Sequence, residues 1–138
     1  MEIRTPPPHV LANLPRLRAY ANGLAAFYGH PVHLVGSALA ACNEQPRDWD
    51  VRITIPDEEF ERRYGHYADW VKEAALGTYT RVRWSWAEDC KKKTQDGWRD
   101  TGLYIDFQVY CEMHVLAHSY NRRPRFRLDT LPDPPREE

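Results

Sequence analysis

Two stretches of this chain alternate strictly between apolar and polar residues, and both carry acids on the polar side. In residues 48–55, Trp49, Val51, Ile53 and Ile55 point one way, and Asp48, Asp50, Arg52 and Thr54 point the other. In residues 103–110, Leu103, Ile105, Phe107 and Val109 oppose Tyr104, Asp106, Gln108 and Tyr110. Successive side chains of a strand leave opposite faces, so a period of two predicts half-buried β-structure. A slip of one residue would drive the acids into the core, which ties the register to the pattern. If the two strands are neighbours, Asp48, Asp50 and Asp106 converge. Three carboxylates inside strands are hard to explain by packing, and they suit a cage for divalent cations.

The remaining elements follow from spacing and punctuation. Leu14, Leu17, Ala21, Leu24 and Tyr28 predict a helix over residues 13–28, with Pro15 in its first turn and Gly29 as its stop. Residues 32–35 form a short apolar strand. Gly36-Ser37 makes a turn, and residues 37–42 read as a short helix with Ser37 as its cap. A polar loop, 43–47, leads to the first alternating strand. Asp57, Glu58 and Glu59 open a helix whose stripe runs through Phe60, Tyr64, Tyr67, Val71, Ala74 and Ala75 to Gly77. Val82, Trp84 and Trp86 predict a strand over 81–86. Residues 87–100 read as a helix closed by a loop at Gly97 or Gly102, residues 112–119 as a short helix, and 125–128 as an edge strand. The proline-rich ends, 1–12 and 130–138, read as irregular tails. The expected fold is a single α/β (α+β) domain spanning 1–138: a small mixed sheet with helices on one face and an acidic cleft on the other.

Composition narrows the function classes. A formal net charge of −1 gives no global attraction to nucleic acid or anionic membranes. Three cysteines make no even disulfide framework, the chain opens without a basic and apolar leader, and no apolar run reaches a membrane span. A cytoplasmic protein without membrane contact is expected. There is no Walker-type lysine loop and no Gly-x-Gly-x-x-Gly. Cys111-x2-His114-x3-His118 offers three zinc donors and no fourth, so it reads as the polar face of a helix rather than a zinc site. The basic run Arg81, Arg83, Lys91, Lys92, Lys93 and Arg99 reads as a solvated face balanced by Glu88, Asp89, Asp96 and Asp100. For Arg122, Arg123, Arg125 and Arg127 a phosphate-rich partner and a solvated face stand level. Trp49 reads as core; Trp84, Trp86 and Trp98 read as core or cleft wall, or as a base-stacking surface.

Val35-Gly36-Ser37, ten residues, Asp48-Trp49-Asp50-Val51 and the later Ile105-Asp106-Phe107 together resemble the DNA polymerase β-like nucleotidyltransferase superfamily, in its minimal single-domain form. The resemblance covers residues 32–110. It implies a nucleotidyltransferase-like fold and transfer of a nucleoside monophosphate from a triphosphate to a hydroxyl acceptor, with Mg²⁺ or Mn²⁺ as cofactor. On the matching positions, Asp48, Asp50 and Asp106 hold the metal, and Asp106 also receives the acceptor's proton. Gly36 and Ser37 hold the triphosphate, Gly36 by admitting close backbone approach and Ser37 together with the helix that follows it. The acceptor class stays open between protein, small molecule and nucleic-acid end. The short chain leaves the cleft to be closed by a helical partner protein, a second copy or the acceptor itself. The competing expectation is a catalytically inactive module of the same fold that binds nucleic acid or a partner protein through the arginine-rich tail.

Overall fold

A computed structural model describes residues 1–65 and 88–132. Its elements in chain order are α1 (Pro8–Tyr28), β1 (His33–Val35), a 3-10 turn (Gly36–Leu39), β2 (Trp49–Ile55), α2 (Asp57–Tyr64), α3 (Glu88–Thr101), β3 (Ile105–Cys111), α4 (Glu112–Ala117), a second 3-10 turn (Tyr120–Arg122) and β4 (Arg125–Arg127). The four strands make one sheet in the order β3-β2-β1-β4. β1 pairs antiparallel with both β2 and β4, whereas β2 and β3 run parallel. The mixed α/β class is therefore as expected.

The alternation in β2 translates directly into burial. Trp49, Val51, Ile53 and Ile55 are buried, and the residues between them are half-exposed. They meet Ile105, Phe107 and Val109 of β3 in one core, capped by Leu17, Tyr20, Ala21, Leu24 and Tyr28 of α1. α3 lies on the same side. At Gly97 a Cβ would sit 2.8 Å from Ile105 Cβ and 3.1 Å from Tyr20 Cζ, so the absence of a side chain lets the helix reach the strand. Gly97 is thus internal to α3, and the helix is closed instead by Gly102 at φ 70°.

Three expectations are corrected. Residues 1–12 are not an irregular tail. α1 begins at Pro8, a position where a missing N–H costs nothing, and Glu2 bridges Arg125 while the Ile3 N–H donates to the Arg125 carbonyl at 2.8 Å. Pro15 consequently lies in the helix interior rather than the first turn, where it removes one backbone donor. At the other end Thr130 is anchored, its N–H donating to Asn22 Oδ1 at 2.8 Å. α2 stops at Tyr64, with Gly65 at φ 96° following it. The expected continuation through Tyr67, Val71, Ala74, Ala75 and Gly77, and the 81–86 strand, lie outside the described residues.

The third correction concerns the second alternating strand. Gln108 and Tyr110 were expected on an open polar face, yet they are 2% and 3% exposed. α4 and the Tyr120–Arg122 turn fold back over that end of the sheet. Tyr110 stacks on Tyr120 with centroids 5.7 Å apart, and the Arg52 guanidinium lies 4.5 and 4.8 Å from the two ring centres. Asp57, from the first turn of α2, accepts the Met113 N–H at 2.9 Å and so satisfies an orphan donor at the start of α4. Among the described residues, α1 and α3 pack on one face, and α4 with the Tyr120–Arg122 turn covers one end of the other, leaving the acids half-exposed.

Candidate functional site

Asp50 on β2 and Asp106 on β3 are direct register partners in the parallel pair. Both are half-exposed on the polar face. The alternating apolar residues of both strands put the two acids on the same face, and the parallel register sets them opposite each other. Gln108, one pleat further along β3, binds both acids: its Nε2 donates to Asp50 Oδ1 at 3.2 Å and to Asp106 Oδ2 at 3.3 Å. Its Oε1 faces Arg52 Nη2 at 3.4 Å. A buried amide thus ties the carboxylate pair to an arginine.

Asp48 precedes β2 and is exposed. It shares with Asp106, Thr94, Tyr104 and Ile105 the wall of an open cleft of about 310 Å³. Thr94 is held there by the Phe107 N–H, which donates to its Oγ1 at 3.1 Å. Asp50 and Asp106 are brought together across the strands, and Asp48 and Asp106 along the cleft. Among the described residues, no group of three or more His, Cys, Asp or Glu side chains could hold a metal ion. The donor set at the Asp50–Asp106 pair is nonetheless all oxygen and carboxylate, the chemistry that a hard cation such as Mg²⁺ takes.

Gly36 follows β1 directly and adopts φ 76°, a left-handed conformation that favours glycine. A Cβ there would lie 2.6 Å from Asp50 Oδ2. The turn therefore presses its backbone against the carboxylate, and no side chain fits between them. The expected helix over 37–42 is only a 3-10 turn of four residues, Gly36–Leu39, and its N-cap is Val35 rather than Ser37. Too short to act as an anion-binding helix terminus, the turn instead leaves Ser37 exposed at the site's edge. Two residues that sequence reasoning missed hold the turn. His9 Nε2 meets the Ala38 carbonyl at 2.6 Å, and Asn43 Nδ2 donates to the Ser37 carbonyl at 3.0 Å. Neither has a pattern of its own. Gln108 and Thr94 were missed as well. For Gln108 a signal existed, since it lies two residues beyond Asp106 on the same face.

The Cys-His-His motif does not form a centre. Cys111 and His114 are buried while His118 is exposed. Burial pushes the Cys111 thiol up to about 11, which keeps it protonated and unreactive. Burial, with help from His118 and Arg52, lowers His114 to about 4, so it is neutral at physiological pH. The expected solvent-facing helix is wrong for His114, whose ring packs edge-on to Tyr110 at 4.5 Å.

No protein-family model, no curated protein and no solved structure matches this chain.

Proposed function

We propose that the chain is a metal-dependent nucleotidyltransferase, moving a nucleoside monophosphate from a triphosphate to a hydroxyl acceptor on a protein, a small molecule or a nucleic-acid end. The observation that carries this reading is the register pairing of Asp50 with Asp106, with the left-handed Gly36 turn closed against Asp50. The spacing of Gly36-Ser37 and Asp48-x-Asp50 from the sequence adds to it.

In this reading Asp50 and Asp106 would hold the divalent cation, and Asp48 lines the adjoining cleft wall. A bound Mg²⁺ would supply positive charge for the phosphate oxygens of the triphosphate. Gly36 and Ser37 receive the triphosphate against exposed backbone. Asp106, which lines the open cleft, is the carboxylate placed to take the acceptor hydroxyl's proton. Gln108 orients the two acids before the substrate arrives, and so reduces the reorganisation needed on binding.

Calorimetric titration tests this without knowledge of the acceptor. ATP, GTP, CTP and UTP are titrated with and without Mg²⁺ into the native protein and an Asp48→Asn/Asp50→Asn variant. The expected result is Mg²⁺-dependent binding of at least one triphosphate by the native protein and loss of that binding in the variant. Failure of a folded native protein to bind any triphosphate would remove the proposal.

A second reading is favoured by a different observation. Arg122 and Arg123 are exposed beside the sheet edge and suit a phosphate-rich or acidic partner. A non-catalytic module binding nucleic acid or a partner protein there would tolerate Asp50→Asn. It would instead lose salt-sensitive binding when Arg122 and Arg123 are neutralised.

A further inference from the structure

The polar face of the sheet holds a second feature, on the far side of Asp50 from the cleft. His33 on β1 is the register partner of Arg52 on β2 and of Arg127 on β4, and Val35 is the partner of Arg125. Residues paired across strands share a face, so three arginines and a histidine gather on one side of three strands. His33, Arg52 and Arg125 frame a cavity of about 140 Å³, whose lining also includes Val35, Thr54 and Tyr120.

The charges around it are unequally compensated. Arg127 is satisfied: its Nε and Nη2 donate to the two oxygens of Asp129 at 3.1 and 3.0 Å. His33 is engaged by Glu2 at 2.5 Å. Arg52 and Arg125, by contrast, have no ion pair with a carboxylate among the described residues. The Nε of each is buried and meets no acceptor. Burial lowers the Arg52 guanidinium from its usual value, and Tyr110, Tyr120 and Asp50 only partly oppose that effect. The tyrosine rings hold Arg52 in place, and its Nη2 donates to Gln108 Oε1 at 3.4 Å, which leaves Nε as the atom without an acceptor. Two buried guanidinium Nε–H donors without acceptors are costly, and the cost falls when an anion supplies oxygens to them.

Size and chemistry limit what that anion is. Drug-sized ligands occupy about 300–1,000 Å³. This cavity has room for about four or five waters at ~30 Å³ each, which is the scale of one tetrahedral oxyanion rather than a whole nucleotide. Arginine forks match phosphate oxygens in geometry as well as charge.

We propose that the cavity between Arg52 and Arg125 is a binding site for one phosphate-type oxyanion, either free or as the terminal group of a monoester. The inference does not rest on nucleotidyl transfer. Asp50, Asp106 and a metal take no part in it.

The test is calorimetric titration with inorganic phosphate, and separately with glycerol 3-phosphate, at low ionic strength and without divalent cations. The native protein is compared with Arg52→Gln, Arg125→Gln and a control variant at two exposed arginines outside the cavity, Arg62→Gln/Arg99→Gln. Saturable phosphate binding is expected, weakened about tenfold by loss of either cavity arginine and unchanged in the control. Arg52 is wedged between two rings and its replacement risks misfolding, so Arg125→Gln, on the edge strand, carries the test by itself. Comparable binding of glycerol 3-phosphate assigns the terminal group of a larger molecule, and its exclusion assigns the free ion. No saturable binding by the folded native protein, or equal weakening in the control, overturns the proposal. Asp106→Asn keeps the two proposals apart: it should abolish Mg²⁺-dependent triphosphate binding and leave phosphate binding intact.

Discussion

The polar face of the sheet has two halves with opposite fates. At one end Asp50 and Asp106 stand half-exposed beside the Gly36 turn and an open cleft. At the other, Gln108 and Tyr110 leave the same face of the same strand and are buried under α4 and Tyr120. The two halves are joined by one amide, since Gln108 touches Arg52 on the covered side and both acids on the open side. A strand's alternation determines which side chains share a face. It does not determine whether something later in the chain will cover that face, and here a short helix and turn cover half of it.

Substitutions can sharpen that contrast. The largest stability effect is expected on the covered half. Tyr110→Ala removes a buried ring from between Arg52, His114 and Tyr120 and should cost about 3–5 kcal/mol in denaturant unfolding. A loss below ~1 kcal/mol would show that this half is not a second core. On the open half, under the nucleotidyltransferase proposal, Asp50→Asn should weaken Mg²⁺-dependent triphosphate binding about a hundredfold, equivalent to ~2.7 kcal/mol. The same variant should melt within about 0.5 kcal/mol of the native protein, because a half-exposed carboxylate contributes little to stability.

Gly36→Ala tests the boundary between turn and site. The left-handed backbone costs about 1–2 kcal/mol for an alanine, and the added Cβ must also displace Asp50 Oδ2. Stability should fall by that amount, and triphosphate binding should fall with it. A variant as stable as the native protein would show that the turn is not held against the carboxylate.

A last effect, confined to mildly acidic solution, is a pH dependence on the covered half. His114 titrates near 4 when folded and near 6.5 when unfolded, so below pH 6.5 the unfolded chain binds the extra proton. The native protein should therefore lose stability as pH falls from 6.5 towards 4, and be level below that. Relative to a His114→Phe variant, the loss between pH 7 and pH 4.5 should be on the order of 2 kcal/mol. Parallel pH profiles for the two proteins would mean that His114 is not buried as a neutral ring.

Much of this architecture could be read before any coordinates. The burial of Trp49, Val51, Ile53 and Ile55 follows from a period of two, whereas the facing of Asp50 on Asp106 also needed the strand order, since a slip of two residues keeps the same alternation. The N-terminal segment could not be read that way. Pro7 and Pro8 punctuate like a tail, yet they start α1, and Glu2 and Ile3 join the sheet through backbone hydrogen bonds that any side chains would permit. The supports of the Gly36 turn were hidden for a related reason. His9 is distant in sequence from the turn, and only the packing of α1 brings its ring to the Ala38 carbonyl. The cavity arginines were half legible: Arg125 was singled out within a basic tail, but its juxtaposition with Arg52 needed the strand order.

The parallel pairing of β2 with β3 has a consequence in time as well as space. β1 and β2 are close in the chain and join with little loss of chain entropy, whereas Gln108 lies 58 positions from the Asp50 it binds. Closing a loop that long is the slower event when strands assemble, since its entropic penalty comes before any contact repays it. A nascent or partly folded chain can therefore own a finished β1–β2 ribbon, complete with Gly36 and Asp50, and still lack Asp106 beside it. The two acids meet only once β3 has docked on β2, so the paired carboxylates are displayed only after that long-range step.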